Sequence, residues 1–475
     1  MTRHTIQPTP GDHYHFVTGK LAEPAVRRIV HELSQQYGFD YSIGVMPITV
    51  AALMTPRWLS GRLQPPAETT HVIVPGFCES GIEELSARLK PLLVVGPRDC
   101  REMSELFGGQ TEPPALDRYN IQIIAEINHA PRFSFDQILA QALQLRDDGA
   151  DMIDIGCDPS KRFEDVGQWV GDLVAAGLQV SIDTFDPWEA AKATGAGASL
   201  VLSVNSTNRQ QACDWGTEVV VIPDTPRDLD SLDQTIEYLA RRNVPMRLDP
   251  ILEPIGAGLA DSLVRYADCR RRYPELPMMM GIGNLTELTD VDSAGINLLL
   301  LGICEELQIH SVLTTQVINW ARTSVRECDM ARRLTAHSVA EGVPPKNLSE
   351  ALVMLRDRRL RPFPPESLTE LAQAIKDNNY RIFAQDDQLH LLAAGLHLSD
   401  EDPFRLFERL MSENVSDNVD AGHAFYLGYE MAKASIALTL GKQYEQDRAL
   451  NWGMLTRTED LHRIKRTSRH RKTST

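Results

Sequence analysis

The sequence predicts an α/β fold centred on a (β/α)8 TIM barrel, with a small Rossmann-like α/β domain before it and an α+β domain after it. The 475 residues exceed what one ordinary hydrophobic core organises, so several domains are expected. Between residues 116 and 333, eight apolar runs of strand length alternate with segments of helical period. Eight such units in about 210 residues match the lower size range of the barrel, and a doubly wound sheet is the alternative architecture.

The first domain, residues 1–115, is predicted to be a layered α/β unit with parallel strands. Its four apolar runs are each followed by a segment of helix period, and they read HYHFVTG, YSIGVMP, THVIVPG and PLLVVGP. Gly19, Gly76 and Gly96 end three of these runs and could shape a nucleotide or phosphate site. None belongs to a G-x-G-x-x-G or Walker pattern, so a structural role is the preferred interpretation.

The barrel itself, residues 116–333, is predicted from eight strands with helical segments between most of them. The strands are IQIIAEIN, ADMIDIG, LQVSID, ASLVLSVN, TEVVVIP, VPMRLD, LPMMMGIG and LQIHSVLTT. The segments between them, such as SFDQILAQALQLRDDG and LDSLDQTIEYLARRN, carry apolar residues at helix spacing.

Behind the barrel, residues 334–366 are predicted to be a linker rich in Pro and Arg that contains one helix. Residues 367–461 are predicted to form the α+β domain, in which YRIFAQDDQLHLLAAGLHLS indicates a hairpin and AGHAFYLGYEMAKASIALTLG an apolar helix. The basic segment 462–475 is predicted to be a disordered tail.

Composition excludes several classes of function. The formal charge of −17 disfavours nucleic-acid binding. No apolar run approaches the roughly 20 residues of a membrane span, and MTRHTIQPTP lacks the apolar core of a signal peptide, so a cytoplasmic protein without a membrane partner is expected. The seven cysteines are scattered without a C-x-x-C pair, so neither a disulfide framework nor a thiolate zinc site is indicated.

Polar side chains recur where the predicted barrel strands end. In such a barrel, inward-facing residues at the carboxyl ends of the strands line the ligand mouth. A lone aspartate at such a place is better explained as a helix cap, but several strand ends that converge on one mouth favour a polar ligand. Gly156 is expected to let the chain turn across Asp154. The strand-end residues are Asn128, Asp154, Asp183, Asp249 and Asn284.

These residues carry a resemblance to a known family. GADMIDIGCDPS resembles the GADIIDIGGEST segment of dihydropteroate synthases, VSIDTF resembles their ISVDTY, and RLDPI resembles their LDPG. IIAEINHAPRFSF is similar to their first-strand Asn-x-x-Pro motif. The whole chain more closely resembles the dihydropteroate synthase-related proteins associated with tetrahydromethanopterin biosynthesis. The resemblance implies a pterin-binding barrel that joins a hydroxymethyl-dihydropterin diphosphate to an arylamine and releases diphosphate.

The resemblance also implies roles for individual residues. Asp183 and Asp249 would hold the amino-pyrimidine edge of the pterin, and Asp154 would assist near the ring and the departing group. Asn128 would be a ligand of the Mg²⁺ that binds the diphosphate. Asn205 lies close to the family's fourth-strand Asn, which itself aligns with Leu202.

Cationic side chains are needed to stabilise the leaving diphosphate. Arg132, Lys161 and Arg162 follow the first two barrel strands and are the catalytic candidates, with surface charge as the alternative. Besides Leu202 at the fourth-strand Asn, the chain departs from the family in three further places. Arg132 replaces an Asp, Asn284 in GIGNLT stands near the position of the seventh-strand Lys, and VLTTQ replaces the final Arg-x-His pair.

These departures leave three functions open. The leading hypothesis is the transferase, with a ribofuranosylaminobenzene phosphate as acceptor. The second is a pterin-dependent methyltransferase, since an amide suits a reduced, methylated pterin. The third is a non-catalytic pterin-binding scaffold. A homodimer and protein partners from a one-carbon pathway are also expected by analogy.

Overall fold

A computed structural model describes residues 5–110, 115–349, 351–352, 355–357, 360–377, 379–413, 419–452, 456 and 458–459. The described residues form two compact units. The first draws on Met1–Tyr119 and Arg333–Ser349, and the second on Asn120–Arg332 and Glu350–Thr475. The predicted basic tail, residues 462–475, lies outside the described residues.

The first unit contains a four-stranded parallel sheet, which confirms the four predicted strands. The strands are β1 (His13–Thr18), β2 (Asp40–Val45), β3 (His71–Val74) and β4 (Leu92–Val95), in the order β2-β1-β3-β4. The order corresponds to the flavodoxin-like class of doubly wound sheets. The helices are α1 (Glu23–Tyr37), α2 (Pro56–Ser60) and α3 (Ile82–Ser86), with 3-10 helices at Ala51–Leu53, Gly76–Cys78 and Cys100–Phe107.

Successive side chains along each strand point to opposite faces of this sheet, and both faces are covered by other residues. Phe16 packs in an aromatic cluster with Phe39 and Phe107 on one face. Its neighbour Val17 packs with Leu59 on the other face. The continuous apolar runs of the sequence therefore reflect strands that are buried on both sides.

The second unit contains the barrel, and all eight predicted strands are confirmed. They are β5 (Gln122–Ile127), β6 (Met152–Gly156), β7 (Val180–Asp183), β8 (Leu200–Val204), β9 (Glu218–Val221), β10 (Met246–Leu248), β11 (Met279–Gly281) and β12 (Ser311–Thr315). The parallel sheet runs β10-β9-β8-β7-β6-β5-β12-β11. A bridge between Leu248 and Met278 joins the two end strands, and the backbone N–H of Leu248 donates to the carbonyl of Pro277 at 2.9 Å. The sheet thereby closes into a barrel.

Helices surround the barrel and bury its outer face. They are α4 (Phe135–Asp147), α5 (Val166–Ala175), α6 (Pro187–Gly195), α7 (Arg209–Ala212), α8 (Leu229–Ala240), α9 (Leu259–Arg272), α10 (Gly283–Thr286), α11 (Ser293–Glu306) and α12 (Ser324–Glu341). Short 3-10 helices lie at Ala130–Arg132 and Asn319–Ala321. The outward-facing strand residues, such as Ile153 and Ile182, belong to the main hydrophobic core between strands and helices.

The inside of the barrel is layered. At the amino ends of the strands, Arg247 pairs with Glu218 at 2.6 Å and donates to Gln122 at 3.0 Å. Above this polar layer lies a small apolar cluster. Its buried members are Ile124, Met152, Leu200, Leu202, Val220 and Met279. The apolar layer separates the polar residues at the amino ends of the strands from the polar residues at the mouth. The polar groups at the mouth are therefore available to one another and to a ligand.

The C-terminal part of the second unit corrects the predicted hairpin. The structure has three antiparallel strands, β13 (Arg381–Gln385), β14 (Gln388–Ala393) and β15 (Leu396–Asp400). Gly395, at φ 71°, forms a second tight turn after Ala394, so the run that suggested one strand folds into two. The helices are α13 (Pro365–Ala374), α14 (Pro403–Met411) and α15 (Ala421–Leu440), and α15 confirms the predicted apolar helix.

The described residues between 342 and 364 include no helix, and residues 350, 353–354 and 358–359 of the predicted linker lie outside the described residues. Within the described part of the chain, no helix has both the length and the apolar character needed to cross a membrane. The longest helix, α15, illustrates why, because it buries the ion pair between Lys433 and Glu430, whose charged atoms are 2.8 Å apart.

Candidate active site

Three carboxyl groups meet in the barrel mouth. Glu126 on β5, Asp154 on β6 and Asp183 on β7 each place a carboxylate oxygen within 4.8 Å of the other two. Their positions follow from the side-chain alternation of the strands, since Glu126 lies two residues after inward-facing Ile124 and Asp154 two after Met152. The parallel register sets Glu126 directly beside Asp154. We call Glu126, Asp154 and Asp183 the acid cluster.

Asp154 is the most buried member of the acid cluster. Its side chain is fully buried, and its Oδ1 accepts a hydrogen bond from the Ser181 hydroxyl at 2.6 Å. Its Oδ2 is buried without a hydrogen-bond partner. Burial, followed by the charges of Asp183 and Glu126, raises the pKa of Asp154 well above its usual range. The site thus contains a buried acceptor that a ligand can satisfy.

Gly156 is the last residue of β6, as expected for a glycine at which the strand ends. Its backbone lies against the side chain of Glu126. A Cβ on residue 156 would stand 2.8 Å from Glu126 Oε1 and 3.2 Å from the Cα of Asn128. Glycine therefore suits residue 156, because a side chain there would displace the Glu126 carboxyl group and press on the backbone of Asn128.

The members of the acid cluster cannot all be ionised without a counter-ion. Burial and the charges of Asp183 and Glu287 raise the pKa of Glu126 to about 8, and burial raises the pKa of Asp183 to about 6. At neutral pH the cluster therefore retains a proton unless a cation neutralises it. Carboxylate oxygens at this spacing are ligands that hard divalent cations prefer.

Asp249 forms a second acidic site at the end of β10. Its Oδ1 accepts from the Tyr266 hydroxyl at 2.5 Å and from the backbone N–H of Ile251 at 2.8 Å. Burial raises the pKa of Asp249 to about 6, although these donors and a backbone bond from Gly281 oppose the shift. Ile251 has φ 66°, which is rare for a β-branched residue, and its bond to Asp249 helps to hold it there.

The three predicted amides differ in what they offer a ligand. Asn128 Oδ1 is buried without a partner. Asn205 Oδ1 accepts from the backbone N–H and the hydroxyl of Thr207, so its carbonyl is used within its own loop. Asn284 lies in the short helix α10 after β11 and donates to the carbonyl of Leu252 at 3.2 Å. Asn284 Nδ2 and Asp249 Oδ2 both face Gly281, since each lies 3.6 Å from where a Cβ would stand on that residue.

The predicted cationic residues lie on the expected loops, but two of them are paired with carboxylates. Arg132 is exposed and bonds Asp158 at 2.8 Å. Arg162 bonds Asp186 at 2.8 Å. Lys161 is exposed, and no ion pair involves it within the described residues. None of the three belongs to the acid cluster.

Three functional candidates were missed from the sequence. Glu126 precedes the strand-end Asn128 by two residues, and its signal in the sequence is the inward alternation after Ile124. Glu287 follows the short helix α10, where no strand pattern marks it, and it accepts from the Thr315 hydroxyl. Tyr266 lies on α9, a helix that packs against the barrel, and its contact with Asp249 arises only from tertiary packing.

Comparisons with known proteins give the following likenesses. Residues 12–98 match the model of a family of unknown function, DUF6513. An uncharacterised protein of Methanocaldococcus jannaschii is 27% identical over 381 residues, which cover 70% of this chain and 70% of that protein.

Solved structures of dihydropteroate synthases also match. The Yersinia pestis enzyme with a pterine-sulfa conjugate is 19% identical, with a TM-score of 0.38, covering 46% of this chain and 95% of that one. The Stenotrophomonas maltophilia enzyme with bound imidazole is 20% identical, with a TM-score of 0.38, covering 48% and 96%. The Anaplasma phagocytophilum enzyme with 6-hydroxymethylpterin-monophosphate is 15% identical, with a TM-score of 0.36, covering 46% and 98%.

Proposed function

We propose that the barrel binds a hydroxymethyl-dihydropterin diphosphate and transfers its pterinylmethyl group to an arylamine. The observation that carries the proposal is the set of inward-facing carboxyl groups at the mouth, one of which, Asp154, has a buried oxygen without a donor. The amino-pyrimidine edge of a pterin presents parallel N–H donors, which a carboxylate accepts in a bidentate arrangement. Such an edge would satisfy acceptors that the protein leaves open.

Asp249 is the residue we assign to that edge. Tyr266 and Ile251 both donate to its Oδ1, which fixes the plane of the carboxylate, while Oδ2 and the amide of Asn284 both face Gly281. Asn284 then offers an amide next to the anchored ring. Asp183 is assigned to the same edge, Asn205 to the ring, and Asp154 to the region between the ring and the departing group.

The acid cluster also fits the Mg²⁺ expected from the family resemblance. Glu126, Asp154, Asp183 and the unpartnered Oδ1 of Asn128 are all oxygen donors, and together they would hold the ion. When bound, the ion supplies positive charge to the diphosphate oxygens. Arg132, Lys161 and Arg162, on the loops after β5 and β6, would add to that charge, and of these Lys161 requires no exchange of an existing ion pair.

In the reaction we propose, the arylamine nitrogen forms a bond to the pterin methylene carbon as the bond from that carbon to the diphosphate oxygen breaks. Diphosphate leaves with the electron pair, and the nitrogen loses a proton. The protein anchors the ring through Asp249 so that the methylene carbon is held in place while charge separates. We propose a ribofuranosylaminobenzene phosphate as acceptor, in tetrahydromethanopterin or folate-like cofactor synthesis; the expected homodimer and pathway partners stay predictions.

One observation favours a second function. The neutral amide of Asn284 lies 3.6 Å from where a Cβ on Gly281 would stand, near the position at which the family resemblance places a seventh-strand Lys. A neutral amide suits a reduced pterin that carries a methyl group, and methyl transfer is therefore the alternative. The ion pairs of Arg132 and Arg162 are compatible with the third hypothesis, a scaffold that binds pterin without turnover.

Diphosphate release separates these functions. The full chain is incubated with hydroxymethyl-dihydropterin diphosphate, Mg²⁺ and either p-aminobenzoate or the ribofuranosylaminobenzene phosphate, and released diphosphate is measured. Release that depends on the amine and is lost in Asp249→Asn supports the transferase. Pterin binding without release with either amine contradicts it, and demethylation of a methylated tetrahydropterin would then identify the second function.

A further inference from the structure

The N-terminal sheet has a ligand-binding position of its own. In the order β2-β1-β3-β4, the chain leaves β1 toward β2 on one side, and β3 lies on the other side. The strand order therefore reverses between β1 and β3. Parallel sheets of this kind bind ligands in the crevice outside the carboxyl ends of the strands at such a reversal. Here those ends are Thr18 and Val74.

A cavity of about 460 Å³ lies at this position. Val17 and Thr18 at the end of β1 and Val74 at the end of β3 form part of its wall. Ala22 and Ala25, at the start of α1, line it with small side chains that leave the space open. Its size falls within the roughly 300–1,000 Å³ of small-molecule sites, and its lining is mostly apolar, as in such sites.

On one side of the cavity, the backbone of the loop after β3 packs directly against the backbone of the loop after β4. A Cβ on Gly76 would stand 2.7 Å from the backbone nitrogen of Arg98 and 2.8 Å from the carbonyl oxygen of Gly96. The loops that follow β3 and β4 therefore touch directly, which any larger residue at position 76 would prevent. This contact explains why Gly76 ends β3 although it belongs to no phosphate-binding motif. It also fixes the position of one side of the cavity.

Cations outnumber acids in the lining. The charged residues there are Arg98, Asp99, Arg101, Glu102 and Lys346. Asp99 is satisfied internally: Arg101 donates to it at 2.5 Å, and Asn347 donates at 3.1 Å. Arg98 and Lys346 have no ion pair within the described residues, and the Arg98 guanidinium lies 5.4 Å from the centre of the Phe77 ring. With Asp99 and Arg101 paired, Arg98 and Lys346 outnumber the one other acid of the lining, Glu102, and this excess of positive charge favours an anionic group on the ligand.

We propose that this cavity binds a small aromatic molecule that carries one anionic group. The ring packs against the apolar walls, and the anion faces Arg98 and Lys346. A phosphate ester and a carboxylate share this chemistry, and the two are separated by experiment. The site is distinct from the barrel mouth, and it gives the segment matched by the DUF6513 model a binding role.

Calorimetry on the full chain with three probes tests the proposal: 2-naphthyl phosphate, 2-naphthoate and neutral 2-naphthol. We expect the better anion to bind at least about tenfold more tightly than 2-naphthol, a ratio that corresponds to roughly 1.4 kcal/mol. The identity of the tighter anion tells a phosphate-ester ligand from a carboxylate ligand. Equal binding of all three probes, or no binding at millimolar concentrations, overturns the proposal.

Two variants locate the binding. Arg98→Gln with Lys346→Gln removes both cations and should lower the affinity for the anions to that of 2-naphthol; Arg57→Gln, an exposed cation on α2 outside the lining, is the matched control. Ala52→Trp, at an exposed lining position, should block all three probes without disturbing the fold, which circular dichroism checks. Unchanged anion binding in both variants contradicts the assignment, whereas Asp249→Asn should leave it intact.

Discussion

The Oε1 atom of Glu126 lies 2.8 Å from the point where a Cβ on Gly156 would stand. This relationship links two of the three strands that carry the acid cluster, because the Glu126 carboxyl group on β5 lies against the backbone of residue 156 on β6. The backbone atoms of Asn128 and Ile127 lie 3.2 Å from the same point, so a side chain there displaces more than a flexible carboxyl group.

Gly156→Ala should therefore destabilise the fold and disturb the acid cluster together. We expect the free energy of unfolding to fall by about 1–3 kcal/mol, the usual cost of overpacking a filled interior. Urea denaturation measures the loss. Gly167→Ala on the outer helix α5 is the control, since its Cβ would meet Lys192 at 3.3 Å, away from the mouth. Equal losses in the two variants would contradict the importance of the contact between Glu126 and Gly156.

A divalent cation should stabilise the protein through the acid cluster. Mg²⁺ or Mn²⁺ neutralises carboxylates that otherwise repel one another, so either ion should raise the melting temperature, and Mn²⁺ should show a bound signal in electron paramagnetic resonance. Glu126→Gln should remove both effects, because it takes one of three charged ligands. Asp249→Asn, outside the cluster, should keep them. Stabilisation that persists in Glu126→Gln would place the ion elsewhere.

The pKa of Asp249 gives a pH dependence with a definite sign. Burial raises it to about 6 from its ordinary value of 3.8, so between these values the folded state binds a proton that the unfolded state does not. The wild-type protein should therefore gain up to about 3 kcal/mol of stability from this group as the pH falls from 7 to 4. Asp249→Asn should lack that gain. Parallel stability curves for the two proteins would contradict the shifted pKa.

The affinity for pterin should change with pH in the direction opposite to stability. Ring N–H donors require an ionised Asp249, so the affinity for a reduced pterin should fall as the pH drops through about 6. Fluorescence titration across this range measures the change. A pterin affinity that is level between pH 5 and pH 8 would show that Asp249 does not accept from the ring.

Tyr266 positions Asp249 and should be less critical than Asp249 itself. Tyr266→Phe removes the donor at 2.5 Å, which costs about 1–3 kcal/mol in stability because a buried acceptor loses a bond, and it raises the pKa of Asp249 further. The midpoint of the pH profile for pterin binding should therefore move to higher pH. A structural role alone would reduce stability without moving that midpoint, and Tyr273→Phe, another tyrosine bonded to an aspartate, controls for the lost hydroxyl.

The strands of this fold could be predicted from sequence because each one is marked by an apolar run within its own few residues. Val72, Ile73 and Val74 are buried on both sides of the first sheet, and such continuous apolar runs can be recognised without knowledge of the tertiary structure. The acidic residues at strand ends could also be predicted, since Asp183 and Asp249 each come at the end of an apolar run. Their convergence followed from the barrel topology, which the regular alternation of strands and helices indicates.

Other features depend on contacts between distant residues and were therefore missed. Glu126 sits inside its strand rather than at its end, and its place in the acid cluster depends on the glycine opposite. Arg132 was predicted to face a diphosphate, yet it bonds Asp158, a carboxylate 26 residues away. The third strand of the C-terminal sheet was hidden because Gly395 divides one apolar run into two antiparallel segments.

The most direct test of the central claim is calorimetry of the full chain with 6-hydroxymethyl-7,8-dihydropterin at pH 7.5, a pH chosen to lie above the pKa of about 6 of Asp249. We predict one binding site per chain, with affinity reduced roughly 10- to 100-fold in Asp249→Asn, since hydrogen bonds to a charged carboxylate contribute about 1.5–3 kcal/mol. Absence of heat with the wild-type protein, or equal affinity in the variant, would contradict a pterin held at the mouth of this barrel.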